Sequence, residues 1–323
     1  MLKRAFLAAL EREAPLVIDG GLATQAEAQG CDIGNALWSA SLLLDNPQAI
    51  VDANRAFLDA GAECIATASY QASREGLAQR GLSADEADAL MRRSVELAIR
   101  ARDEYLAANP DAALVPLVAA SIGPYGAMLH NGSEYRGDYD VSAETLHEFH
   151  EARLRLFDAS EADVLAFETV PCLPEAQVIA ELLSDCATPA WVSFSCKDRR
   201  VIVDGTAIEE AVGVFRDHPV VVAVGFNCTP PQYSVELIGR IRAALPGKHV
   251  IAYPNSGETF DVKTNSWSGT SSPLDYAQAA RAWHAAGAKI IGGCCRTGPD
   301  HIREIRTMIP ADDAERNLVT SQN

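Results

Sequence analysis

Three cysteines in this chain stand where they could hold a metal ion. Cys228 closes the apolar run VAVGFNC, and Cys294 and Cys295 close IIGGCC. Thiolate sulfur is a soft donor that selects zinc, and three thiolates leave one coordination position open, the pattern of a catalytic rather than a structural zinc. The alternative is that these are small buried hydrophobes, as most unpaired cysteines are. Two cysteines in succession at the end of an apolar run, beside Gly292 and Gly293 and matched by a third, favour ligation. A disulfide between Cys294 and Cys295 is disfavoured, because adjacent residues meet disulfide geometry only with strain. Cys31, Cys64, Cys172, Cys186 and Cys196 have no partner pattern, and of these only Cys172 is expected as a rim thiol. The seven histidines show no ligand spacing, and His147 and His150 lie in a polar segment that reads as a solvated helix face.

For the three sulfurs to meet, the runs that carry them must end side by side. Short runs rich in Val, Ile and Ala recur eight times, at 16–19, 64–69, 114–120, 164–168, 190–195, 220–227, 250–254 and 289–293. Near-continuous apolar runs of this length suit strands buried on both faces, as in a parallel sheet. Between them lie helical stretches with recognisable ends. Asn46 and Pro47 supply a cap and a first-turn proline, with Gly61 as the stop. Ser83 with Glu86, and Thr206 with Glu209, have capping-box spacing. Ser272 and Pro273 open a helix with Leu274, Ala277, Ala280 and Trp283 near one face, stopping at Gly287. Strand and helix alternating eight times predict an α/β fold, a (β/α)8 TIM-type barrel over 1–323 as a single domain, because closure removes both sheet edges. An open doubly wound sheet is the alternative, since pattern cannot see closure. Two polar loops, His130 to Asp140 and Thr259 to Ser272, would lie on the C-terminal rim, where such barrels build active sites.

Composition narrows the partners. With 323 residues and 48% hydrophobic content the chain can bury a large core. Its net charge of -17, with no stripe of Lys and Arg, excludes nucleic acid and anionic membranes as natural partners. No run approaches the ~18 apolar residues of a membrane span, and the N-terminal apolar run is too short for a signal peptide. A cytoplasmic protein with mostly free thiols is expected, of unknown oligomeric state.

The motifs GFNC (225–228) and GGCCRTGPDHI (292–302), preceded by DGGLATQ (19–25), resemble the homocysteine S-methyltransferase family. The resemblance runs along nearly the whole chain through NALWSASLLLDNP (35–47), TASYQAS (67–73), FETVP (167–171) and YPNSGE (253–258), and these segments are most similar to the branch that uses S-methylmethionine. It implies that Cys228, Cys294 and Cys295 are catalytic and hold Zn2+, with the homocysteine sulfur as fourth ligand. It also implies that Asp19 and Glu168 hold the amino-acid end of homocysteine, while the amides of Gly20 and Gly21 could receive its carboxylate. These roles fit the chemistry, since a desolvated ammonium needs a negative partner and a glycine turn lets amides approach an anion.

A free thiol with a pKa near ~8.5 is mostly protonated at neutral pH, whereas a zinc-bound thiol is deprotonated. In-line methyl transfer from a sulfonium donor, without a covalent enzyme intermediate, is therefore the expected mechanism. Aromatic faces attract such a cation, which nominates Trp38, Tyr70 and Trp267 for the donor pocket. Asn227 and Asn255 are candidates for hydrogen bonding at the substrate or metal site, or strand-end turn residues. The favoured donor is S-methylmethionine, with S-adenosylmethionine a second candidate. Betaine as donor and a selenol as acceptor are rivals within the chemistry; a zinc hydrolase and a zinc or redox sensor are rivals outside it.

Overall fold

The structure is a computed structural model that describes residues 3–32, 41–261, 266–269 and 272–309. Eight parallel strands run in the order expected from the sequence: β1 (Leu16–Val17), β2 (Cys64–Ala66), β3 (Leu117–Ile122), β4 (Val164–Val170), β5 (Ala190–Phe194), β6 (Val221–Asn227), β7 (His249–Tyr253) and β10 (Ala288–Ile291). A hairpin of β8 (Thr259–Asp261) and β9 (Ser266–Ser268) is inserted in the rim loop after β7.

Closure decides between barrel and open sheet. β1 pairs with β10, and on its other side Ile18 forms a parallel bridge to Cys64. The amide of Asp19 donates to Cys64 O at 3.0 Å and that of Glu63 to Val17 O at 2.7 Å. The sheet thus meets itself, and the chain is a (β/α)8 barrel.

Alternate residues face inward and outward, as the two-residue period of a strand dictates. Along β4, Leu165 and Phe167 join the layer between sheet and helices, while Val164 and Ala166 point into the barrel. The interior cluster continues through Trp191, Ala223, Ile251 and Ile290. Phe6 and Leu10 of the helix Lys3–Glu11 belong to it too, with the Phe6 ring 5.9 Å from that of Trp191. That helix seals the floor of the barrel.

The expected caps are largely present. Asn46 accepts from the Ala49 amide, Ser83 and Glu86 form a reciprocal capping box, and Ser272 accepts from Asp275 N. Thr206 does not cap its helix. Its own amide donates to Asp204 Oδ1 at 2.7 Å, and the helix starts later, at Ile208. Leu274 is 50% exposed while Ala277, Ala280 and Trp283 are buried, so only those three mark the inner face. The strand expected from Leu114 begins at Leu117, beyond Pro116, and leaves Leu114 and Val115 exposed. His150 is fully buried, contrary to the solvated face expected for it; its Nε2 meets Glu175 Oε1 at 2.8 Å, and its Nδ1 lies 2.8 Å from Arg153.

Candidate active site

A cavity of about 450 Å³ opens at the C-terminal end of the strands, lined by residues from β1 to β7 and from the turn after β10. The three cysteines converge in its wall, with ligand atoms within 4.8 Å of one another. Cys228 Sγ lies 2.8 Å from Cys294 Sγ and 3.7 Å from Cys295 Sγ. Zn–S bonds of ~2.3 Å in a tetrahedron impose an S–S edge of about 3.8 Å; the Cys228–Cys295 pair matches it, the Cys228–Cys294 pair would have to open by about an ångström, and the three-sulfur donor chemistry suits a metal that prefers sulfur. The thiols share protons unequally. Hydrogen bonds from Cys228 and then Cys295 hold Cys294 well below the usual thiol range, while the bond to Cys294 holds Cys228 well above it.

The backbone is bent to make this cluster. Cys228 has φ 45°, and Thr169 and Arg296, following Glu168 and Cys295, have φ 60° and 64°. Left-handed conformation is costly for side-chain-bearing residues and persists where the surroundings hold it. Here the Asn227 side chain supplies much of the hold. Its Oδ1 accepts from Thr169 N at 2.7 Å and from Ser193 Oγ at 2.9 Å, and its Nδ2 donates to Thr169 Oγ1 at 2.8 Å and reaches Cys294 Sγ at 3.7 Å. Asn227 is 1% exposed and ties β4, β5 and β6 to the thiolate cluster.

Asp19 and Glu168 also line the cavity. Asp19 is 5% exposed, and its Oδ2 accepts from the Ala66 amide at 2.6 Å. Burial pushes its carboxyl up to about 8 against that bond, with Glu168 adding to the rise. Glu168 accepts from Ser121 Oγ and is pushed up to about 7, again chiefly by burial. Among the described residues neither carboxyl has a cation in ion-pair reach, and a cationic partner would restore their charge. Gly20 and Gly21 bring the β1 turn against the turn after β10. A Cβ on Gly20 would lie 2.6 Å from Thr297 O, and one on Gly21 2.7 Å from Cys294 O. Both glycines line the cavity, but the Gly21 amide already donates to Thr297 O at 2.9 Å and so is not a free anion donor.

Tyr70 stands in the cavity wall, as expected. Asn255 does not: its amide donates to Thr229 O at 3.0 Å, the role of a strand-end turn residue. Trp38 lies outside the described residues, and Trp267 falls in β9, whose side chains are not described. Cys172 is buried, its thiol pushed up to about 12 by burial, and is no rim thiol. Cys31 and Cys64, without any sequence signal, do line the cavity.

Several contributors escaped the sequence reading. Tyr135 lines the wall and its hydroxyl bonds to Cys295. Trp191 and Tyr253 form the deep end, joined by a 3.2 Å bond from the indole to the Tyr253 hydroxyl. Arg296 bridges Glu27 and Glu258, each at 3.0 Å, across the mouth. The loop 130–140 lay within the expected rim, which was the available signal for Tyr135.

Comparison with known proteins agrees with this geometry. The homocysteine S-methyltransferase family matches residues 16–309. The chain belongs to the homocysteine S-methyltransferase family. It is 46% identical over 293 residues to the homocysteine S-methyltransferase YbgG of Bacillus subtilis, covering 90% of this chain and 93% of that one. The homocysteine S-methyltransferase of Escherichia coli is 42% identical, over 93% of this chain and 96% of that one. Selenocysteine Se-methyltransferase of Brassica oleracea var. italica is 41% identical, over 95% and 91%. The crystal structure of the E. coli homocysteine methyltransferase MmuM in its metallated form superposes with a TM-score of 0.83 at 39% identity, over 95% of this chain and 99% of that one. As a homocysteine S-methyltransferase the protein is an enzyme that transfers a methyl group to homocysteine. No helix among the described residues is long and apolar enough to cross a membrane.

Proposed function

We propose that this homocysteine S-methyltransferase makes methionine from L-homocysteine, with S-methylmethionine as methyl donor and zinc held by Cys228, Cys294 and Cys295. The observation that carries the reading is the meeting, in one cavity, of three sulfurs with a buried carboxyl, Asp19, and a half-buried one, Glu168. Cys228, Cys294 and Cys295 would hold the zinc, which would lower the pKa of the homocysteine thiol so that it is a thiolate at neutral pH. The remaining work falls to the chain itself. Asp19 and Glu168 receive the ammonium of homocysteine, which replaces the water they lost on burial with a charge partner. The backbone at Gly20, in the cavity wall, receives the carboxylate. Tyr70 offers a ring to the sulfonium cation. Asn227 holds the strand ends so that the acceptor sulfur is fixed when the donor arrives, and an oriented pair of reactants needs no covalent enzyme intermediate.

The test is methionine formation by the purified protein from L-homocysteine and S-methylmethionine, with and without a zinc chelator. Methionine that disappears with chelator and returns with zinc is expected. Activity that survives complete metal removal overturns the zinc assignment. Turnover with S-adenosylmethionine or betaine, and none with S-methylmethionine, overturns the donor. The similarity to a selenocysteine methyltransferase favours one second reading, a selenol as alternative acceptor, read by supplying selenocysteine in place of homocysteine. A zinc hydrolase is disfavoured because no histidine lines the cavity among the described residues.

A further inference from the structure

The wall of the cavity is acidic. Asp19, Glu27, Asp32 and Glu168 line it, and among the described lining residues Arg296 carries the sole positive charge. Arg296 follows Cys295 directly, so its side chain starts at the sulfur cluster. Its amide donates to Thr24 Oγ1 at 3.0 Å, which pins that starting point in its left-handed conformation. The side chain then runs out to the mouth, where Nε donates to Glu258 Oε2 and Nη1 to Glu27 Oε2. These two bonds hold the guanidinium between the loop after β7 and the helix Leu22–Ala28. Neither engages Nη2, and no other group among the described residues does. The side chain is 34% exposed, so a molecule in the cavity can reach those free N–H donors.

Two amino acids must share this cavity. Homocysteine places its sulfur at the metal and its ammonium at Asp19 and Glu168, and Arg296 pairs with neither of these. Trp191 and Tyr253 close the deep end. A donor that presents its methyl group to the homocysteine sulfur therefore lies on the mouth side, with the rest of its chain directed outward past Cys295. In a sulfonium amino acid the carboxylate stands a short methylene chain from the sulfonium. The guanidinium of Arg296 stands a methylene stem away from Cys295 in the same direction. A carboxylate leaving water needs a cationic donor, and the planar fork of a guanidinium matches it.

We infer that Arg296 receives the α-carboxylate of the methyl donor through Nη2, and so selects sulfonium compounds that are amino acids. This rests on the sulfonium reading of the donor. Glu27 and Glu258 set the plane of the fork, and as pairs at an exposed rim they add little to stability.

The experiment is steady-state kinetics with S-methylmethionine and, separately, its α-carboxamide, which keeps the sulfonium and ammonium but loses the carboxylate charge. In the parent the KM for S-methylmethionine is expected to be lower by about tenfold or more, the scale of a charge-assisted bond. In Arg296→Gln that gap closes, because the KM for S-methylmethionine rises while that for the carboxamide does not. Arg296→Lys, which keeps the charge and loses the fork, falls between the two. The homocysteine KM and zinc content stay as in the parent, and melting temperature checks the fold. Glu27→Gln separates an anchor from a mere clasp. It breaks the bridge across the mouth but keeps Arg296, and so keeps the preference for the carboxylate. No gap in the parent, or a gap that persists in Arg296→Gln, overturns the proposal. So does an equal rise for both donors, the mark of a loosened mouth, or a rise in the homocysteine KM alone, which would give Arg296 to the acceptor. A parent that turns over no sulfonium amino acid overturns the donor reading and this inference with it, and that failure is recognised in the parent before any variant is made.

Discussion

Cys228 ends β6 in a left-handed turn that few side chains adopt, and that turn points its sulfur at Cys294. Cys228→Ser removes a soft donor and puts a hard hydroxyl in its place. Changes outside the ligand shell already lower metal affinity by about 10–100-fold, so loss of a ligand should exceed ~100-fold in both zinc affinity and turnover. Zinc content per chain and methionine formation measure the two together; a variant that keeps stoichiometric zinc and full activity contradicts the assignment. At this scale the sequence was most informative about cysteines, because adjacency and position at a strand end are visible in one dimension. Asn227 could be named but its work could not, since its partners Thr169 and Ser193 belong to other strands. Tyr135 gave no signal of its own, because a polar loop residue turned inward looks like one turned outward.

At the scale of elements, the helices Ala143–Asp158 and Leu173–Leu183 are joined through buried His150 and Glu175. Burial, with Arg153 beside it, lowers His150 from 6.5 to about 4. The folded state thus binds this proton less tightly than the unfolded chain, so His150 contributes stability above pH 6.5 that is lost as pH falls toward 4. Melting curves between pH 7 and pH 4 should show this decline. His150→Gln cannot take up the proton and should flatten that part of it, even though the variant begins less stable. An unchanged slope would assign the acid sensitivity to other groups. The sequence showed helix 143–158 but misjudged the face of His150, because Glu144, His147, Glu148 and Glu151 around it do look outward. Caps were legible at Asn46, Ser83 and Ser272, where the side chain has no competitor. At Thr206 a nearby Asp204 takes the amide first, and spacing alone cannot reveal such competition.

At the scale of the whole molecule, the eight strands could be counted from the sequence, but their closure could not. The bridge from Ile18 to Cys64 joins segments with no local pattern in common. The floor was equally hidden, since Phe6 and Leu10 sit in a short helix that reads as an ordinary amphipathic start. Phe6→Ala would leave a void against Trp191 and should lower the unfolding free energy by about 3–5 kcal/mol. The urea midpoint measures it, and the loss of stability should outweigh any shift in KM, because Phe6 meets the cavity only through Trp191. A shift in KM without loss of stability would contradict this division of labour. The barrel interior changes along its axis, from Phe6, Leu16, Ala166 and Ala223 at the floor to Ser121, Glu168, Ser193 and Asn227 at the mouth. The axis is consequently also a gradient of mutational consequence. Damage near the floor would reach the cell as less protein, damage near the mouth as normal amounts of a protein with altered appetite, and new substrates would be acquired from the mouth downward while the floor holds the fold.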